Sequence, residues 1–355
     1  MTSNNSLKNR VENLDNHGFV GMLYGAVSHF QGSYTAANDT DISSIDVSKV
    51  TNIVILGMGG SGSTGDIINA AFSDQLKLPV SVVKTYDLPS FVGENSLVFA
   101  TSYSGNTEET VEATKQALAN NAQIVFTSSG GLLEEMAKEH KKIHIPLLGG
   151  LQPRAAFATL FPIIVSVLNR LDFITFTKED EASMVALLEK KLELFEPANE
   201  TDSNLAYAIS KELKGKTTLI YGGDVLGQTA SYRVKCDFNE NAKLHAFSHA
   251  YPELDHNEIC AWDEKQVDFN KAFMVLELRN SYESERTSLR FDITKQIIAG
   301  ANVVSYQADG SSRLEQLVDT IYFGLWLTSY LAVSDDVDPG YIKNIVQLKV
   351  DLANN

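Results

Sequence analysis

Three hydroxyls, Ser102, Ser104 and Thr107, fall within six residues of the stretch ATSYSGNTEET at 100–110. Gly105 permits a tight turn between them, and Asn106 or Thr107 can cap a helix that starts there. The first N–H groups of such a helix and its positive dipole end favour a bound anion. Side-chain hydroxyls add donors without adding charge. Plain N-capping would explain one hydroxyl followed by Glu108 and Glu109. Three hydroxyls directly after the apolar run SLVFA point to phosphate.

A second loop of the same kind lies upstream. VILGMGGSGSTGD at 54–66 carries an apolar run into glycines, and Gly57–Gly62 satisfy G-x-G-x-x-G. A dinucleotide site would also want an acidic residue about 20 residues further on. Lys84 stands near that place in VSVVKTYDLP, and Asp87 comes several residues late. The chain has no G-x-x-x-x-G-K-[ST], so it has no P-loop. Two hydroxyl-and-glycine loops suit a phosphomonoester better than a pyrophosphate, with Gly60 and Ser61 helping to seat it.

Such loops need strands to carry them. The first half of the chain alternates strand and helix signals, with strands expected at 52–58, 80–86, 96–103, 123–129 and 141–147. Helices are expected from Ser61, from about Thr107, from 130 to 139, and through most of GGLQPRAAFATLFPIIVSVLNRL. A charged helical stretch at 177–196 leads to a second series of strands at 217–223, 245–251, 272–278 and 302–308. Helix-like segments at 227–243 and 285–300 separate them. Short β-rich runs between helices imply parallel sheets covered on both faces. TNIVILGMGGSG and TTLIYGGDVLG are each a strand running into glycines, the mark of a duplicated α/β unit. The second copy lacks the serines, so phosphate belongs to the first. In open parallel sheets, ligands gather at the carboxyl ends of strands.

The bulk numbers narrow the function. The 355 residues carry a net charge of −16, which disfavours nucleic acid and anionic membranes as partners. Cys236 and Cys260 form no C-x-x-C or zinc pattern, and the cytoplasm is the expected compartment. The N-terminus is polar, without a signal-peptide apolar region. The run LVDTIYFGLWLTSYLAV at 317–333 contains Asp319 and reads as a buried core helix rather than a membrane span. His245 and His249 alternate on one expected strand, but no third ligand is spaced to complete a metal site.

The pair GMGGSG and TSYSGNTEET resembles the sugar isomerase (SIS) domain. QPRAAF (152–157), CDFNENAKLHAFSHAYPELDHNEI (236–259), VSYQADGSSRLEQL (304–317), and Pro339 followed ten residues later by Lys349 make the chain similar to bifunctional phosphoglucose/phosphomannose isomerases. The resemblance runs from about residue 40 to the end. It implies two SIS-type subdomains, each a parallel β-sheet flanked by helices in a three-layer αβα sandwich. The boundaries expected are an N-terminal helical segment at 1–39, a phosphate-binding SIS domain at 40–172, a helical linker at 173–200, a second SIS domain at 201–335, and a C-terminal tail at 336–355.

The resemblance further implies aldose–ketose isomerisation of a hexose 6-phosphate, in glycolysis and gluconeogenesis, with no metal and no redox cofactor. By it, Glu240 is the proton-transfer base, His256 the ring-opening residue, Arg154 the active-site cation and Lys349, with Lys343 as the alternative, a C-terminal active-site lysine. Gly60, Ser61, Ser102, Ser104 and Thr107 then hold phosphate. The expected assembly is a homodimer in which His256 serves the neighbouring subunit's site. The chemistry calls for these residue types independently: a group titrating near neutrality to protonate the ring oxygen, a carboxylate to move a proton between C2 and C1, and a cation for the enediolate. One departure stands out. Where the family places a hydroxyl that helps admit the mannose epimer, DVDPGYIKN offers Gly340 and Tyr341. The alternatives are a non-catalytic sugar-phosphate-binding protein and another SIS enzyme acting on amino-sugar phosphates.

Overall fold

The computed structural model describes residues 6–354. Its backbone divides into two units. One comprises residues up to Tyr24, Lys190–Ser311 and Glu315 onwards, and the other Gly25–Glu189 with Ser312–Leu314. The Lys178–Phe195 helix carries the chain from one unit to the other.

The Gly25–Glu189 unit is built on five parallel strands, β1 (Asn52–Leu56), β2 (Val80–Val83), β3 (Ser96–Thr101), β4 (Gln123–Ser128) and β5 (Ile143–Pro146), in the order β2-β1-β3-β4-β5. β3 is buried along its whole length and β1 along four of its five residues, as strands covered on both faces must be. Pro146 lies on the edge strand, where a missing N–H costs no ladder bond. One face packs Val54, Val98 and Phe126 against Val111, Ala117 and Leu133. The Phe157–Arg170 helix packs on the Ala26–Asp39 helix, with the Phe30 and Phe161 rings 5.8 Å apart.

The other unit has four parallel strands, β6 (Thr217–Gly223), β7 (Ala246–Tyr251), β8 (Phe273–Arg279) and β9 (Asn302–Gln307), ordered β7-β6-β8-β9. Both units are therefore parallel sheets with helices between their strands, the α/β architecture expected. The 22-residue helix Arg313–Ser334 is long and apolar enough to cross a membrane, yet 94% of its apolar window is buried in the protein. Asp319 sits within it, fully buried and paired with Lys191 at 3.1 Å.

Every expected strand is present, but most end earlier. β1 stops at Leu56 and β2 at Val83, and Lys84 just beyond β2 pairs with Asp66. The first glycine-loop helix begins at Gly59, two residues before Ser61. Residues 149–156 form a turn region rather than helix, so Arg154 precedes the Phe157–Arg170 helix instead of opening it. The segment expected as one helix over 227–243 is an α-helix, Asp224–Asp237, followed by a π-helical turn, Phe238–Ala242.

A buried ion pair closes that α-helix. Arg233 Nη2 lies 2.8 Å from an Asp237 carboxylate oxygen, with both side chains almost wholly enclosed. Replacing Arg233 with methionine keeps the stem but removes the positive charge that faces the buried Asp237 carboxylate. Loss of one partner from such a pair costs about 3–5 kcal/mol, which urea unfolding of the variant will read directly.

Candidate active site

The two loops identified by their hydroxyls are neighbours because β1 and β3 are neighbours. They are joined directly: the Tyr103 N–H donates to Ser61 Oγ over 3.1 Å. Ser102 Oγ and Thr107 Oγ1 lie 2.8 Å apart. Thr107 is the N-cap residue of the Glu108–Ala119 helix, yet its hydroxyl pairs with Ser102 and does not cap. The Asn106 N–H donates to Ser104 Oγ at 3.3 Å, and Ser104 is exposed.

These bonds settle which way the hydroxyls can act. Ser61 and Ser104 are acceptors from backbone N–H groups, so each retains its own O–H for donation. In the Ser102–Thr107 pair, one hydroxyl donates to the other, and one O–H is left over. The result is a cluster of neutral donors beside a helix N-terminus, which suits an anion.

The loop is braced from outside. Asn106 Oδ1 accepts from the Leu132 N–H at 3.0 Å, and Tyr103 O accepts from the Ser129 N–H at 2.9 Å. Gly105 adopts φ +70°, and a Cβ there would stand 1.8 Å from Gly130 O. The Pro153–Arg154 turn is packed onto the glycine loop. A Cβ at Gly60 would meet Pro153 O at 2.6 Å, which is why that position carries no side chain. Arg154 is 2% exposed. The structure thus brings Gly60, Ser61, Ser102, Ser104, Thr107 and the Arg154 turn together. A dinucleotide reading finds no support, since the cation Lys84 pairs with Asp66 where an acidic ribose ligand would stand.

Glu240, His256 and Lys349 belong to the other unit. Glu240 is the central residue of the π-helical turn, half-buried, and its carboxylate has no hydrogen-bond or ion-pair partner among the described residues. Its neighbours are pinned. Asn239 Nδ2 donates to Leu244 O at 2.8 Å, and Asn241 Nδ2 to Thr328 Oγ1 at 2.9 Å. Lys243, at φ +58°, donates from Nζ to the carbonyls of Glu240 at 2.7 Å and Asp338 at 3.1 Å. The turn is therefore rigid while its carboxylate stays available.

His256 ends a short 3-10 turn, Glu253–His256, and is exposed. His249 Nδ1 lies 2.8 Å from Glu258 Oε2, so it is engaged with a carboxylate. Among the described residues no group of three or more His, Cys, Asp or Glu is placed to hold a metal. Lys349 lies on the Lys343–Ala353 helix, where every side chain from Lys343 to Leu352 is exposed. Among the described residues no hydrogen bond or ion pair ties its ammonium to the π-helical turn. Sequence reasoning missed Lys243, Tyr221 and Glu258, whose bonds depend on chain reversals and strand pairing.

The architecture and the donor-lined loop place the chain among SIS-domain proteins: the SIS domain family matches residues 46–146, and the bacterial phospho-glucose isomerase C-terminal SIS domain matches residues 202–352. A bifunctional phosphoglucose/phosphomannose isomerase from Caldicellulosiruptor bescii is 32% identical over 93% of this chain and 98% of its own length. The chain belongs to the bifunctional phosphoglucose/phosphomannose isomerase family. A D-glucosamine-6-phosphate 4-epimerase from Sulfolobus acidocaldarius is 30% identical over 66% of this chain and 70% of its own. The same fold recurs in the C-terminal domain of glucosamine-fructose-6-phosphate aminotransferase from Francisella tularensis, with a TM-score of 0.69 and 16% identity over 90% of this chain and 96% of that one.

Proposed function

We propose that this protein interconverts glucose 6-phosphate and mannose 6-phosphate with fructose 6-phosphate. Family membership supports the reaction, and one observation supports the site: the loop hydroxyls accept bonds from the protein in a way that leaves their O–H groups to donate. Ser61, Ser102, Ser104 and Thr107, with the backbone at Gly60, hold the phosphate. No metal or redox cofactor takes part.

The sugar enters as a ring. His256 gives a proton to the ring oxygen O5 as the C1–O5 bond breaks, and the O1 proton leaves to solvent as C1 becomes an aldehyde. Glu240 removes the proton from C2 to give a cis-enediolate whose O1 takes a proton from solvent; O2 then releases its proton and becomes the ketone carbonyl as Glu240 returns its proton to C1. Arg154 and Lys349 stabilise the negative charge that develops on the oxygens. For mannose 6-phosphate, rotation about C2–C3 of the open intermediate presents the other face of C2. The lack of a Ser or Thr in residues 336–344 favours the glucose epimer in rate.

The protein works as a homodimer, in the cytoplasm, with His256 serving the partner's site. The exposed position of His256 is compatible with that role, and both cysteines are free, in keeping with a reducing compartment. A coupled assay for fructose 6-phosphate formation from each hexose phosphate tests the reaction. Turnover should be seen with both, faster with glucose 6-phosphate. Binding without product would instead mark a sugar-phosphate sensor. Mixed Glu240→Gln and His256→Ala subunits should recover activity that neither variant has alone, and no recovery would refute the shared site.

A further inference from the structure

His256 is presented by a peptide that is clamped on both sides. On its N-terminal side, Asp255 Oδ2 accepts from Arg290 Nη1 at 2.7 Å, and Asp255 Oδ1 accepts from Thr294 Oγ1 at 3.1 Å. Both partners lie on the Glu285–Ile297 helix. On its C-terminal side, Glu258 Oε1 accepts from the Tyr221 hydroxyl at 2.6 Å, and Glu258 Oε2 faces His249 Nδ1 at 2.8 Å. Tyr221 and His249 are directly paired across β6 and β7, so one carboxylate bridges two strands of the sheet. Trp262 Nε1 donates to the same Tyr221 hydroxyl at 3.2 Å, which fixes the far end of the segment.

The residue between the clamps is also held. Asn257 Oδ1 accepts from the Glu258 N–H at 2.6 Å, and Asn257 Nδ2 donates to the Glu253 carbonyl at 3.2 Å. Only the His256 imidazole among these side chains has no partner among the described residues. Surface turns are commonly mobile. This one is tied to the sheet and to a helix by charge-assisted bonds, which are shorter and stronger than neutral ones. So much anchoring around one exposed imidazole fits a ring whose aim matters.

We infer that Glu258, held by Tyr221 and His249, is a positioning residue for His256 in ring opening. The inference rests on the ring-opening role proposed for His256. A proton donor must meet O5 within hydrogen-bond reach as the C1–O5 bond breaks, and small misplacement of a catalytic group costs orders of magnitude in rate. Enolisation at C2 does not use this residue. A loosened clamp should therefore slow cyclic substrates and spare open ones.

The test compares glucose 6-phosphate with its 4,5-dideoxy analogue, which has no hydroxyl able to close a five- or six-membered ring. Tyr221→Phe removes one hydroxyl and keeps the ring that packs edge-on to Tyr251. Glu258→Gln removes the charge and keeps the shape. In each variant kcat on glucose 6-phosphate should fall about tenfold or more with KM little changed. Deuterium exchange at C2 of the dideoxy analogue should stay within about twofold, since the step it reads does not involve the clamp. If both substrates slow together, or neither slows in Tyr221→Phe, the positioning role is wrong. His256→Ala is the control: it must show the same split more strongly. Should His256→Ala leave the cyclic substrate unaffected, the ring-opening reading itself fails, and this inference with it.

Discussion

Exchange of Glu240 for glutamine is expected to lower kcat for glucose 6-phosphate about a thousandfold, within the range a positioned general base contributes. The amide keeps the shape of the side chain and removes only its basicity. The carboxylate makes no ion pair or hydrogen bond among the described residues, so no structural bond is lost. The turn that carries it is held instead by Asn239, Asn241 and Lys243, through bonds that leave the Glu240 side chain uninvolved. KM should therefore change little, and the circular dichroism and melting temperature should match the parent. The coupled assay reads the loss, and equilibrium dialysis with labelled sugar phosphate reads the retained binding. A variant that turns over at the parental rate would remove Glu240 from the chemistry.

The second large effect concerns the phosphate loop. Gly105→Ala places a methyl group 1.8 Å from Gly130 O and 2.8 Å from Gly130 C, at a backbone φ of +70° that side chains resist. Neither atom can yield cheaply, since both belong to the backbone beside β4. The Gly105 carbonyl also accepts from the Leu133 N–H at 3.0 Å, so the strain reaches the next helix. A destabilisation of about 3 kcal/mol or more is expected, in the range where steric and backbone strain add. At temperatures where the variant remains folded, KM for the sugar phosphate should rise at least about tenfold, the equivalent of 1.4 kcal/mol of lost binding. Urea unfolding and initial-rate kinetics measure the two effects separately. Parental stability with parental KM would show that the loop tolerates another shape.

Much of the architecture could be read from the letters because parallel strands are apolar on both faces. NIVIL and SLVFAT carry no alternation, and each is followed by glycine or hydroxyl residues that open a turn. The hydroxyl loops were legible for the same reason: their chemistry sits in adjacent residues. What could not be read is whatever depends on order across a sheet. The Tyr221–Glu258 bond joins residues 37 apart and requires β7 to lie beside β6 in one particular register. The diversion of Thr107 from cap to Ser102 partner is a choice between a helix N–H and a neighbouring hydroxyl, and composition is silent on it. The helix expected through QPRAAF begins only at Phe157, and the turn that carries Arg154 packs against Gly60 instead.

The π-helical turn at Phe238–Ala242 has a consequence for how this chain could vary. A π turn holds one residue more than an α turn would over the same span. Removing a single codon there would let the backbone relax into an ordinary α turn over the same span and change which side chain occupies each place within it. Asn239, Asn241 and Lys243 would lose their present acceptors together, and the carboxylate would point elsewhere. A conservative swap at 240 alters one proton carrier, whereas a one-residue deletion beside it would dismantle the whole mount.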